Sequence, residues 1–152
     1  MAIKKLALLI PFLLAGNAWA DVVEHCPRID DIKEHGGKGN YTAKTVSGEG
    51  QWYSTSSWGS GEVRNFETAR FTPREEAKAV DGVIVGELRR CSYRLKDGNA
   101  LELFFKNPGT FVTVRAGNAD DVWQDYYGVA YDCDDSDPTK CTFVELPKAK
   151  KG

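Results

Sequence analysis

Few residues of this chain could do chemistry. Its histidines are His25 and His35, so a serine nucleophile would need one of them as its base. The serine-rich stretch Ser54-Thr55-Ser56-Ser57-Trp58-Gly59-Ser60-Gly61 holds no Gly-x-Ser-x-Gly elbow, and both histidines lie far from it in sequence. A Ser–His couple is therefore not expected. His25 beside Cys26 has the makings of a metal dyad, yet no further histidine or free cysteine completes the shell. In Asp132-Cys133-Asp134-Asp135-Ser136-Asp137, the residues Asp132, Asp134 and Ser136 have the alternate spacing of a calcium loop. The match fails at Asp137, where such a loop needs glycine, and at Phe143, where it needs a bidentate glutamate. An acidic, solvated hairpin tip is the expectation. Gly36, Gly37 and Gly39 around Lys38 lack the strand before and the Ser/Thr after that a phosphate loop requires. Glu49, Glu62, Glu67, Glu87 and Glu102 offer carboxylates for glycoside cleavage but single out no pair. No catalytic residue, no metal ligand and no cofactor is expected.

The aromatic residues say more. In Trp52-Tyr53, Phe104-Phe105 and Tyr126-Tyr127, neighbours on a strand point to opposite faces, so one of each pair can be core and the other exposed. With Trp58 in a loop and Trp123 in the last third, they make a candidate partner-binding set: Trp52, Tyr53, Trp58, Phe104, Phe105, Trp123, Tyr126 and Tyr127. The runs Ala100 to Lys106 and Thr110 to Arg115 are strand-prone and carry few gatekeeping charges. A homodimer, or a sheet face bound to a partner, is expected to cover the outward rings.

These residues have to be positioned by an exported chain. Lys4 and Lys5 precede the apolar run Leu6 to Ala15, and Ala18-Trp19-Ala20 gives the small-x-small pattern of a signal peptidase site. Residues 1–20 read as a secretory signal, with cleavage before Asp21. The run is too short to span a bilayer, so the expected mature chain is a soluble protein of the periplasm of a Gram-negative bacterium, or one secreted further. Without Lys4 and Lys5, 18 basic residues face 22 acidic ones, a net charge of −4 that favours neither nucleic acid nor an anionic membrane. Residues 21–152 read as a single β-rich domain with a disordered basic tail from about 147.

Cys26, Cys91, Cys133 and Cys141 imply two disulfides in an exported protein, with three connectivities. A bridge across the hairpin mouth from Cys133 to Cys141 is the simplest geometry and leaves Cys26 for Cys91. Cysteines this close in sequence can still point to opposite faces of a sheet.

The segment Cys26 to His35 reads as a short helix: Pro27 suits its first turn, Ile29 and Ile32 share a face, and Gly36-Gly37 stops it. Period-two runs follow at Tyr41 to Val46, Gln51 to Ser56, Phe66 to Phe71, Val83 to Leu95, Ala100 to Lys106, Thr110 to Arg115, Val122 to Asp132 and Thr142 to Leu146. Asp97-Gly98 is a strong hairpin signal between two of them. The expected fold class is mainly β: an antiparallel β-sandwich or curved sheet with one short N-terminal helix and two disulfides.

Cys26-Pro27 with Ile32, Tyr41-Thr42-Ala43, Trp52, Phe66 with Ala69, and Cys91-x-Tyr93 resemble a family of small exported bacterial domains. Some members, the EirA-like proteins, are associated with type IV secretion in intracellular gammaproteobacteria. The resemblance covers nearly all of the mature chain and rests on structural cysteines and aromatics. It implies a periplasmic, non-enzymatic accessory protein that supports secretion or virulence through protein contacts in the cell envelope, as a monomer or homodimer. Two other readings compete with it. An inhibitor of a hydrolase such as lysozyme would project a loop such as Ser54 to Gly61 into a cleft, and a carbohydrate-modifying enzyme would use the acids above.

Overall fold

The computed structural model describes residues 21–36, 39–55, 59–75 and 78–147. The leader at residues 1–20, Trp58 and the tail from Lys148 lie outside the described residues. Eleven strands are described: β1 (Val23–His25), β2 (Lys33–His35), β3 (Asn40–Lys44), β4 (Gln51–Tyr53), β5 (Val63–Pro73), β6 (Val83–Leu95), β7 (Ala100–Phe105), β8 (Val112–Arg115), β9 (Trp123–Tyr126), β10 (Ala130–Cys133) and β11 (Thr142–Glu145). Every strand pair is antiparallel.

Strand β6 organises the sheet. Ile84, Gly86 and Leu88 are buried in its first half, and Cys91, Tyr93 and Leu95 in its second. The parity changes at Arg89–Arg90, where β5 slips register so that Arg70 faces Arg90 while the next residue, Phe71, faces Leu88. A bulge of this kind bends the strand and re-aims its side chains. The edge opposite β5 changes partner across the same bend. Val83 to Gly86 pairs with β8, and Cys91 to Arg94 pairs with β7. Two branches leave β6 there: β7–β4–β3–β2 and β8–β11–β1. A Cβ at Gly86 would stand 2.1 Å from the Thr72 carbonyl oxygen, so β5 and β6 approach this closely only because residue 86 has no side chain.

Beyond β5 lie β10 and then β9. A parallel bridge from Trp123 to Ala116, just past β8, draws the outer hairpin back. The sheet thus curls into a half-barrel. Alternation fills its interior: Leu101, Leu103 and Phe105 from β7, and Val112 and Val114 from β8. Rings from separate branches meet inside. Trp52 packs against Phe105 at 5.1 Å between centroids, and Phe143 of β11 lies 4.9 Å from Phe105 and 6.0 Å from Trp52.

Two disulfides tie this frame, Cys26–Cys91 and Cys133–Cys141, which is the simplest of the three pairings. The mainly antiparallel, curved architecture is as expected, but two segments differ. The N-terminal helix is a single 3₁₀ turn, Ile29–Asp31. Cys26 is drawn to Cys91 at its start, and Lys33–His35 pairs as β2 with β3 at its end, so nothing longer can form. The run Val122 to Asp132 is two strands, β9 and β10, folded back on each other.

Candidate interaction site

The β9–β10 hairpin carries the largest exposed aromatic on the described surface. Its register pairs Tyr126 with Ala130 and Trp123 with Cys133. The turn closes where the Val129 N–H donates to the Tyr126 carbonyl at 3.1 Å. Both central residues are left-handed, Tyr127 at φ 51° and Gly128 at φ 73°. This is the geometry of a type I′ turn, which matches the twist of the flanking strands and normally takes Asn-Gly. Glycine adopts it freely, whereas a bulky residue does so at a cost of roughly 1–3 kcal/mol. Tyr127 is nevertheless placed there, 85% exposed, with Tyr126 at 40% and Val129 at 65% beside it. The two tyrosine rings meet edge to face, 4.7 Å apart.

The base of the hairpin is fixed. Trp123 is buried, and its Nε1–H donates to the Thr142 carbonyl at 2.8 Å. Phe71 packs on it at 6.2 Å, and the Cys133–Cys141 bond anchors β10. Arg70 grips Asp132 with two hydrogen bonds of 2.8 Å, which raises the guanidinium pKa further above its ordinary value. The same guanidinium lies 4.2 Å over the Tyr126 ring. The Gly128 N–H donates to Asp125 Oδ2 at 3.2 Å. A mobile loop would lose entropy on docking; rings held on a fixed hairpin lose less.

The other candidate aromatics divide. Trp52, Phe105 and Trp123 are core residues and present nothing to a partner. Tyr53 and Phe104 are half-buried and cover one another across β4 and β7, with centroids 6.0 Å apart. Phe104, the outward ring of its pair, therefore has a neighbour within the chain. Tyr126 and Tyr127 are both exposed instead of one facing in, because Tyr127 already belongs to the turn. Trp58 lies outside the described residues. Glu24, buried at 2% exposure, was not singled out by the sequence: a charged residue between Val23 and His25 gives no signal of burial.

The polar residues considered for chemistry have other engagements. His25 Nδ1 is 2.8 Å from the Cys26 carbonyl, and His35 Nε2 is 2.5 Å from Thr42 Oγ1. At the acidic tip, Asp134 accepts from Thr68 Oγ1 at 2.6 Å, and Asp135 accepts from the Asp137 N–H at 2.9 Å. Asp137 accepts from the Thr139 hydroxyl and N–H, which hold its carboxyl below the usual carboxylate range. Among the described residues no group of three or more His, Cys, Asp or Glu side chains is arranged to hold a metal ion, and no helix is long and apolar enough to cross a membrane. Two disulfides suit an oxidising compartment.

A family model described as "Protein of unknown function (DUF3757)" matches residues 21–144. No curated protein and no solved structure matches the chain significantly.

Proposed function

The chain belongs to the DUF3757 family, and from that premise we propose that it is a non-enzymatic accessory protein of the cell envelope, acting through protein–protein contacts made by the β9–β10 hairpin. The observation that carries this reading is Tyr127, a large ring kept exposed at a backbone position that disfavours it. Strain of this kind persists where something other than stability selects the residue. Tyrosine is also among the residues that most often anchor protein interfaces. The signal-like start and the two disulfides support a periplasmic location. The resemblance to EirA-like proteins supports a role in type IV secretion or virulence.

The test is cross-linking and capture from intact envelopes with the full chain, comparing wild type with Tyr127→Ser and Val129→Ser. Loss of the same captured proteins in both variants, at unchanged thermal stability, supports the reading. An unchanged catch removes the hairpin from it. Light scattering at micromolar concentration separates the partner classes, since a dimer that Tyr127→Ser converts to monomer makes the partner a second copy. Inhibition of lysozyme at near-stoichiometric ratio would replace this reading with that of a hydrolase inhibitor.

A further inference from the structure

A second site stands apart from the hairpin. A cleft of about 570 Å³ opens between β1, the 3₁₀ turn and the β2–β3 pair. Its walls carry His25, Arg28, Lys33, His35 and Lys44, and Asp31 is its one acid. Both histidines of the chain are here. We propose that this cleft binds a small ligand bearing two or more oxyanion groups, phosphate or carboxylate.

With histidines counted neutral the chain has a net charge of −2, so three cations, Arg28, Lys33 and Lys44, facing one carboxylate beside two histidines run against its overall balance. Among the described residues the ion pairs occupy Arg70, Arg89, Arg90, Arg94, Lys96 and Lys106. None of the five cleft bases is among them. Arg28 also acts on the Asp137 carboxylate across a neighbouring hollow, whereas Lys33 and Lys44 enter no ion pair among the described residues, and cations gathered in a concavity focus a positive potential there.

The wall at β1 is held to β6 by the Cys26–Cys91 bond. It is also held to the segment after β3, because Glu24 accepts from the Val46 and Ser47 N–H groups at 2.8 and 3.1 Å. The Cys26 carbonyl can only accept, so His25 Nδ1 donates to it and the ring is held in place at the cleft wall. Lys33 Nζ donates one long hydrogen bond, 3.3 Å to the Asp30 carbonyl, and has donors to spare. A ligand therefore meets a cleft whose walls are already in place.

The bases stand on four separate elements around a cleft of about 570 Å³, which has room for two or more anionic groups at once. The volume falls in the range of small-molecule sites, roughly 300–1,000 Å³. An extended polyanion such as nucleic acid would run onto the acidic remainder of the surface, which confines the ligand to something the cleft can hold.

Titration calorimetry of the full chain at low ionic strength, with pyrophosphate and with citrate, tests the proposal. One-site saturation by either anion is expected, and the tighter of the two distinguishes phosphate from carboxylate chemistry. Arg28→Gln and Lys44→Gln should each weaken it about tenfold, whereas Arg89→Gln, an exposed base on β6, should leave it unchanged. Arg28 and Lys44 are exposed, so both variants should keep the wild-type melting temperature. Failure of both anions to saturate would overturn the proposal, and so would an equal loss in Arg89→Gln. Neither result depends on the hairpin.

Discussion

The side chain of Glu24, on β1, accepts a hydrogen bond of 2.8 Å from the backbone N–H of Val46, 22 residues further on. A second bond, 3.1 Å from the Ser47 N–H, completes the clasp. The two branches of the sheet are joined here by a side chain in place of a strand ladder. Glu24→Ala should cost about 2 kcal/mol, since it removes two backbone partners and leaves a small cavity. Glu24→Gln should recover at most half of that, because its amide nitrogen would face one of the N–H donors. Urea unfolding of the two variants checks this, and equal stability of Glu24→Ala and wild type would refute it.

The disulfides should contribute unequally. Cys26–Cys91 closes 65 residues and Cys133–Cys141 closes 8. The loop-entropy relation assigns them about 4 and about 2.5 kcal/mol. Replacing each pair by serine and comparing urea midpoints should show the larger loss for the long-range bond. The reverse order would mean that β10 depends on its bridge for more than chain entropy.

Tyr127→Asn should stabilise the protein by about 1 kcal/mol, because asparagine suits the left-handed position of a type I′ turn. The same change should weaken partner capture. A stabilised variant with undiminished capture would separate Tyr127 from function, and a destabilised one would show that the ring supports the hairpin.

Alkaline pH should unfold the protein in a window set by Tyr41. Its hydroxyl is buried and donates to the Gly61 carbonyl at 2.7 Å. Burial first, and then the charges of Glu34 and Asp97, push its pKa up to about 12. An unfolded tyrosine ionises near 10, so between about pH 10 and 12 the unfolded state loses this proton while the folded state keeps it. Stability is complete below that window and falls through it, by about 3 kcal/mol. Tyr93, whose pKa burial also raises, adds to the loss in the same direction. Tyr41→Phe should flatten the decline between pH 10 and 12, as followed by circular dichroism; parallel curves would exclude Tyr41 as the cause.

Much of the sheet is written locally. The long strand Val83–Leu95 has the bounds its period-two pattern gives it, and Gly98 takes the positive φ that an Asp-Gly turn requires. The cysteine pairing follows the simplest geometry because Cys133 and Cys141 flank a short polar turn. These features depend on neighbours in sequence, so the sequence by itself determined them. The N-terminal segment behaves otherwise. Pro27, Ile29 and Ile32 satisfy the pattern of a helix, yet Cys91 and Thr42 draw the chain into one 3₁₀ turn and a strand. The hairpin turn was hidden because tyrosine does not announce a left-handed position.

Tertiary structure alone decided which aromatics face out. Alternation says that Trp52 and Tyr53 part company, but not which of them the far branch covers. The ring of Phe143, 91 residues from Trp52, settles that. The bulge at Arg89–Arg90 is of the same kind, since a shift of parity inside β6 follows from its register with β5. The basic cleft is assembled from four elements that no spacing connects. Local pattern fixes the conformation of a segment through its own backbone and nearest side chains; the partner of each face, and any site between faces, depends on contacts that form only when distant segments pack.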